Sequence, residues 1–268
     1  MMKLIHSLED TGQIDNTIIF MISDHGEMLG QQGARGKIVS WEESIRVPTL
    51  VYHPDLKDKK LCNSVISNID IVPTLLEFTG LSKSELRDKY PELKGNSYAE
   101  LVENVNYDNV RDKEGHLIHG VQIIPTVFEV AEKFRHTALA DGFLAKTKAF
   151  MSEGKFLPDF TPPLNYKGVV DKKHKFLRFF SPRQNNIPTN YDELTKYNAE
   201  YQLYDLENDP FEMNDLAKDE NNRKLLMSMN DKCNRLADKE IGLENHVIHL
   251  PGPDWFWTCL LYTSDAAD

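Results

Sequence analysis

Two side chains that can bind a metal ion stand next to each other in the segment Ser23-Asp-His-Gly-Glu27. A carboxylate and an imidazole can together hold a divalent cation. Neighbouring residues of an extended chain project to different sides, so Asp24 and His25 can meet one ion only where the backbone bends, and Gly26 supplies that freedom. The same pair is also typical of a loop cap or of an internal hydrogen bond, and the spacing leaves both interpretations open.

A lysine follows this pair across a glycine-rich loop. Lys37 lies twelve residues after His25, and its compact positive charge could contact an anionic oxygen, although a solvated loop lysine has the same sequence appearance. Glu42, Glu43 and Arg46 come next. Their i,i+3 and i,i+4 spacing favours a solvated helical face over a catalytic role.

The elements around these residues predict an α/β fold. The apolar run Asn16–Ser23 predicts a strand buried on both faces of a parallel sheet, and Val47–Tyr52 predicts a second strand. Ile69–Gly80 has the pattern of a helix that ends at a glycine. The Asp24-His25 pair therefore falls at the carboxyl end of a strand, where open α/β sheets bind ligands.

The C-terminal third has a different pattern. Three strands with short turns predict a small antiparallel sheet, and helical spacing of apolar residues predicts a long helix at Asp219–Ile241. The predicted strands are Tyr166–Val170, His174–Phe180 and Gln202–Leu206. The middle of the chain is mixed, and its helical candidates are Phe128–Arg135 and Ala140–Met151.

These patterns divide the chain into four parts. We expect an α/β domain portion at residues 1–81, a connecting region at 82–163 and a small antiparallel-sheet and helix subdomain at 164–258. Residues 259–268 resemble the translated read-through of a sequencing adaptor, and we expect them to be an artefact.

Composition excludes several classes of protein. The chain has 31 Lys and Arg against 42 Asp and Glu, a net charge of −11, which argues against a nucleic-acid partner. Its apolar runs are too short to span a bilayer, and Met1–Asp10 lacks the pattern of a signal peptide. Three cysteines outside any motif argue against a zinc ribbon or a disulfide framework.

Several segments, in this order and spacing, resemble the sulfatases of the alkaline phosphatase superfamily. They are Asn16–Gly30, Gly36-Lys37, Trp41–Pro48, Asp70–Gly80 and Gln202–Leu216. The resemblance implies the rear part of an alkaline-phosphatase-like α/β sheet domain, followed by a small antiparallel-sheet subdomain with a packed C-terminal helix. It covers about residues 1–80 and 166–240.

The resemblance also implies roles for three residues. Asp24 and His25 match the family's second pair of metal ligands, usually for Ca²⁺, and Lys37 matches the lysine that contacts the sulfate group. Members of the family hydrolyse sulfate esters of small molecules or glycans. Their nucleophile is a formylglycine made from the Cys or Ser of a C/S-x-P-x-R motif.

The sequence departs from this pattern in its first half. The C/S-x-P-x-R motif does not occur in it, nor does an Asp-Asp pair for the rest of the metal site. We therefore expect a C-terminal portion of a sulfatase that lacks turnover by itself. A phosphoester or phosphonate hydrolase of the same superfamily, and a non-catalytic binder of sulfated glycans, remain as alternatives.

Two further groups of residues are weaker candidates. His116 and His119 have a spacing seen in metal sites, but no third ligand is evident. A basic cluster on the predicted small sheet is typical of a solvated edge, and the alternative is that some of its members face a sulfated substrate. The cluster consists of Lys172, Lys173, His174, Lys175, Arg178 and Arg183.

Overall fold

The computed structural model describes residues 2–121 except 35, 38, 57, 58 and 108, together with residues 165–179, 187–197 and 200–242. The chain forms two compact units. The first contains Met1–Ile118, Gly168–Leu177 and Gln202–Glu244, and the second contains the remainder. The predicted helices at 128–135 and 140–151, the basic residue Arg183 and the tail 259–268 lie outside the described residues.

The first strand pair departs from the expected parallel arrangement. Strand β1 (Ile19–Met21) pairs with β2 (Leu50–Tyr52) in antiparallel register, with Phe20 opposite Val51. The strand prediction is confirmed, but burial on both faces is wrong because Met21 remains 42% exposed. The apolar run indicated a strand, but the elements that pack against the strand determine how much of it is buried.

Six helices belong to the first part of the chain. They are α1 (Met2–Asp10), α2 (Glu42–Ile45), α3 (Ile71–Phe78), α4 (Lys83–Lys89), α5 (Ala99–Glu103) and α6 (Val110–Glu114). The Phe20 ring lies 6.3 Å from the Phe78 ring and 6.5 Å from the Tyr98 ring, so β1 packs on α3 and on the residue that precedes α5. The helix predicted at Ile69–Gly80 is confirmed, and Gly80 has the positive φ of a C-terminal glycine.

A second, four-stranded sheet has the order β3-β4-β5-β6. Its strands are β3 (His116–Val121), β4 (Asn165–Val170), β5 (His174–Phe179) and β6 (Glu200–Asp205), as the sequence predicted for the last three. A tight turn joins β4 to β5, in which the Asp171 N–H donates to the His174 carbonyl over 3.0 Å. Helix α7 (Tyr191–Tyr197) lies between β5 and β6 in the chain.

The long predicted helix is confirmed as α8 (Arg223–Glu240). It buries one stripe of residues at helical spacing, namely Leu226, Met229, Cys233, Leu236 and Ala237. On another side of the helix, Lys232 Nζ lies 2.5 Å from Asp171 Oδ2, which ties α8 to the β4–β5 turn.

A buried ion cluster joins α3, α6 and α8. Arg111 donates from Nε and Nη2 to the two carboxylate oxygens of Asp70, over 2.5 and 2.6 Å, and from Nη1 to Glu240 over 3.2 Å. Asp70 also accepts the backbone N–H groups of Ser67 and Asn96. The side chains of Arg111 and Asp70 are each only 1% exposed, so this cluster is part of the core.

The basic residues of the small sheet are not a solvated edge as a group. Lys172 and Lys173 are exposed, but Lys175 and Arg178 are fully buried. Lys175 is paired with acidic side chains instead of facing a substrate. The prediction failed because a lysine run has the same sequence appearance whether or not distant carboxylates fold over it.

Candidate active site

Asp24 and His25 lie three and four residues after the end of β1, and Lys37 lies beside them in space. The Lys37 ammonium is 2.6 Å from His25 Nε2, and the same nitrogen is 3.4 Å from Asp24 Oδ2. Residues twelve apart in sequence thus share one position at the carboxyl end of the strand. One carboxylate, one imidazole and one ammonium group converge there.

The contacts of the His25 ring determine which nitrogen carries the proton. A lysine ammonium can only donate, so Nε2 is an acceptor in this arrangement. The other nitrogen, Nδ1, lies 2.7 Å from the Gly26 carbonyl oxygen, to which it donates its proton. In this arrangement Nδ1 donates to Gly26, and Nε2 faces the Lys37 ammonium and the Asp24 carboxylate.

Local hydrogen bonds hold the backbone of this segment. The Ser23 hydroxyl donates to the His25 carbonyl over 2.8 Å, and the His25 N–H donates to Asp24 Oδ1 over 3.0 Å. Asn68, just before α3, donates from Nδ2 to the Ser23 carbonyl over 3.0 Å. The segment is thus connected to the short 3-10 helix Asn68–Asp70 that precedes α3, and Ser67 and Asp70 form the capping box of that turn.

Gly26 is required for a reason different from the one that the sequence suggested. Its N–H donates to the Ser44 carbonyl over 2.7 Å, and a Cβ added at Gly26 would overlap the Glu43 carbonyl oxygen. The glycine therefore permits a close approach of two backbones rather than a left-handed turn. This approach brings α2 against the Asp24-His25 segment.

The exposure of the donors bears on whether a cation fits. The Asp24 side chain is 82% exposed and that of His25 is 34% exposed, so both can reach a ligand from solvent. Within the described ranges, no group of three or more His, Cys, Asp or Glu side chains is arranged to hold a metal ion. Since Ca²⁺ takes six to eight oxygen ligands, the two donors suit one part of a cation site and not a whole one.

The second histidine candidate does not form a site. His116 and His119 belong to one strand, β3, and residues three apart in a strand point to opposite faces of the sheet. Burial lowers the pKa of His116, and the charge of Arg111 lowers it further. Burial, followed by the charge of Lys167, lowers the pKa of His119. Both environments favour a neutral imidazole.

Sequence reasoning missed the buried residues that support the site. Lys175 Nζ lies 2.7 Å from Glu212 Oε1 and 3.2 Å from Glu42 Oε1, and Glu212 accepts the Glu42 N–H over 2.7 Å. Glu212 has φ +54°, an uncommon value for a residue with a Cβ, within the late segment Gln202–Leu216. The acidic residues of that segment indicated that a basic partner was needed, but the sequence did not show that Glu42 on α2 would join them.

Comparison with known proteins covers the part of the chain that carries this site. Residues 1–81 match the model of the sulfatase family. The ulvan-active sulfatase of Formosa agariphila is 38% identical over 105 residues, and the choline-sulfatase of Rhizobium meliloti is 37% identical over 103 residues. Each match covers 38% of this chain and 19% of the relative, so the chain spans about a fifth of the length of these two relatives.

Solved structures match over most of the chain. A putative sulfatase from Bacteroides fragilis aligns with a TM-score of 0.59 and 21% identity, over 89% of this chain and 39% of the other. The phosphonate monoester hydrolase of Silicibacter pomeroyi aligns with a TM-score of 0.59 and 17% identity, over 90% and 38%. The fold is that of a portion of an alkaline-phosphatase-like protein.

The match at residues 1–81 and the two sulfatase relatives show that this part of the chain is similar to sulfatases. The family resemblance predicted from the sequence motifs is confirmed, and so is the class of fold. Within the described ranges, no helix combines the length and apolar character needed to cross a membrane.

Proposed function

We propose that the protein to which this chain belongs hydrolyses sulfate esters, and that Asp24, His25 and Lys37 form part of its active site. The observation that carries the proposal is the convergence of these three side chains, with Lys37 Nζ 2.6 Å from His25 Nε2, inside the segment that matches the sulfatase family. A carboxylate and an imidazole would bind a divalent cation, and the ammonium would contact the sulfate.

The charges suit a sulfate ester. Lys37 presents a compact positive charge at an exposed position, where it can contact a sulfate oxygen and stabilise the negative charge that develops during hydrolysis. Asp24 and His25 would hold Ca²⁺, which polarises sulfate oxygens when it is bound. The Nε2 atom of His25, which faces Asp24 and Lys37, is the ring nitrogen that would bind the metal.

The nucleophile is proposed to come from outside these 268 residues. Sulfatases use a formylglycine, and the C/S-x-P-x-R motif that gives rise to it does not occur in the sequence. The short share of the curated relatives that the chain spans agrees with this proposal. By this proposal, the chain alone has no sulfatase turnover and binds Ca²⁺ weakly.

The substrate class is proposed from the relatives. Their names point to ulvan in one case and to choline sulfate in the other, that is, to a sulfated glycan and a sulfated small molecule. We propose a sulfate ester of one of these two kinds. The similarity to a phosphonate monoester hydrolase concerns the fold, so activity assays must separate the two chemistries.

The test uses the longest reading frame that contains this sequence. The expressed protein is assayed with an aryl sulfate, an aryl phosphate and a phosphonate monoester, each with and without Ca²⁺. We expect the sulfate ester to be the preferred substrate. Preference for either phosphorus ester would instead support the phosphohydrolase alternative, and specific binding of sulfated glycans without hydrolysis would support the non-catalytic one.

A variant pair tests the metal assignment in the same protein. Asp24→Ala should lower activity through loss of metal, and excess Ca²⁺ should partly restore it. Asp88→Ala, which removes an exposed carboxylate from α4, should leave both the activity and the Ca²⁺ dependence unchanged. Equal activity of the Asp24→Ala variant and the parent at low Ca²⁺ would exclude Asp24 as a ligand.

A further inference from the structure

One buried serine contacts both ends of the loop that joins His25 to Lys37. The Ser44 carbonyl accepts the Gly26 N–H over 2.7 Å, directly after His25. The Ser44 hydroxyl donates to the carbonyl of Lys37 at the other end of the loop. Ser44 is only 2% exposed, so water cannot readily replace either contact.

The turn that carries Ser44 is itself held from the opposite side. Helix α2 has only four residues, and its first N–H, from Glu42, donates to the buried carboxylate of Glu212. Lys175, fully buried, lies between the carboxylates of Glu212 and Glu42 and balances their charge. A residue so placed can fix a loop because its own backbone has little freedom to move.

We propose that Ser44 is a positioning residue whose hydroxyl fixes the Lys37 backbone and thereby keeps the Lys37 ammonium beside His25. Ser44 has no contact with the ammonium itself, and it acts through the carbonyl of the lysine. Its effect on turnover rests on the proposed function of Lys37. Its effect on the position of Lys37 does not.

The first measurement needs no catalytic activity. In the 268-residue chain, the rate of acylation of Lys37 by an amine-reactive ester is followed by mass spectrometry, with the exposed Lys60 as an internal reference. Ser44→Ala should release the ammonium from His25 and raise the Lys37 rate at least threefold relative to Lys60. The matched control is Ser64→Ala, which also removes a partly buried hydroxyl donor, from Asp112, and should leave the ratio unchanged.

The second measurement is a double-mutant cycle in the protein from the longest reading frame, with whichever ester it hydrolyses best. Ser44→Ala should lower kcat/KM about five- to tenfold, as expected for one lost hydrogen bond. In the Lys37→Ala background the same substitution should have less than about a twofold effect, because the group it positions is gone. Additive losses would mean that Ser44 acts on folding alone, and would overturn the proposal.

The outcomes separate the two proposals. A change in Lys37 acylation without any esterase activity supports the positioning role and counts against the proposed function. Sulfatase activity, together with unchanged Lys37 acylation and additive losses in the cycle, supports the proposed function and overturns the positioning role of Ser44. If Ser44→Ala does not fold, Ser44→Cys, which keeps a weak donor, should give intermediate values in both measurements, and parent-like values with that variant would overturn the role.

Discussion

Two groups of side chains in this molecule each combine carboxylates with basic nitrogen groups, but one group is buried and the other is exposed. The cluster of Asp70, Arg111 and Glu240 is buried, with the first two side chains 1% exposed and the third 5% exposed. The group of Asp24, His25 and Lys37 lies at the surface, with Asp24 82% exposed. Both combine carboxylate with cationic or imidazole nitrogen.

The two groups differ in whether their carboxylate oxygens accept hydrogen bonds from the protein or remain accessible to solvent. Asp70 accepts two bonds from Arg111 and one each from the backbone of Ser67 and Asn96, so its capacity is taken up inside the protein. Asp24 accepts the N–H of the next residue with Oδ1, its Oδ2 lies 3.4 Å from His25 Nε2, and the side chain remains 82% exposed. Internally satisfied charges support the fold, whereas a carboxylate that stays accessible can take a ligand.

Removing the central cation of the buried cluster should have the largest effect. Arg111→Ala leaves Asp70 and Glu240 as unpaired buried carboxylates, which we expect to lower the free energy of unfolding by about 3–5 kcal/mol. Urea unfolding at neutral pH measures this loss. Arg87→Ala, on the exposed side of α4, is the control and should stay within about 0.5 kcal/mol of the parent. A loss below 1 kcal/mol for Arg111→Ala would show that the cluster is not the support we describe.

The matching change at the surface group should affect activity and not stability. In the protein from the longest reading frame, Lys37→Ala should lower kcat/KM for a sulfate ester about 10²–10³-fold, by analogy with the loss of an oxyanion donor. Its unfolding free energy should change by less than about 0.5 kcal/mol because the side chain is exposed. Lys60→Ala, at another exposed position, should change neither quantity. Unchanged turnover for Lys37→Ala would remove Lys37 from the site.

An ion pair of intermediate exposure should give the smallest effect, and one that depends on pH. Burial alone would raise the pKa of the Asp171 carboxyl, but hydrogen bonds from Lys232 and from the backbone of His174 and Lys173 outweigh it and lower the pKa. A lowered pKa contributes stability above the unfolded value of 3.8, and that stability is lost as pH falls through the folded value. Asp171→Asn should therefore cost about 1–2 kcal/mol at pH 7.

This cost should shrink as the pH falls below 3.8, because the parent carboxylate becomes protonated as well. Urea midpoints of parent and variant from pH 7 downward measure the difference. Asp88→Asn, an exposed carboxylate on α4, should show no such dependence. A difference that stays constant through the acid range would mean that Asp171 is held by its geometry and not by its charge.

The sequence by itself predicted much of the fold and the candidate residues of the site. Apolar runs and helical spacing predicted β1, β2, α3, the later strands and α8, because these patterns depend on residues close together in the chain. The order of short motifs singled out Asp24, His25 and Lys37, which are at most thirteen positions apart. Local information was sufficient for both.

Only the tertiary structure decided which charges are buried and which remain accessible. Arg111 meets Asp70 across 41 positions and Glu240 across 129, and Lys175 meets Glu42 across 133. The same lysine run was compatible with a solvated edge, and β1 with a fully covered strand. Burial of a side chain depends on segments that are distant in the sequence. Charges that become buried must then be paired, so local sequence predicts neither the burial nor the pairing.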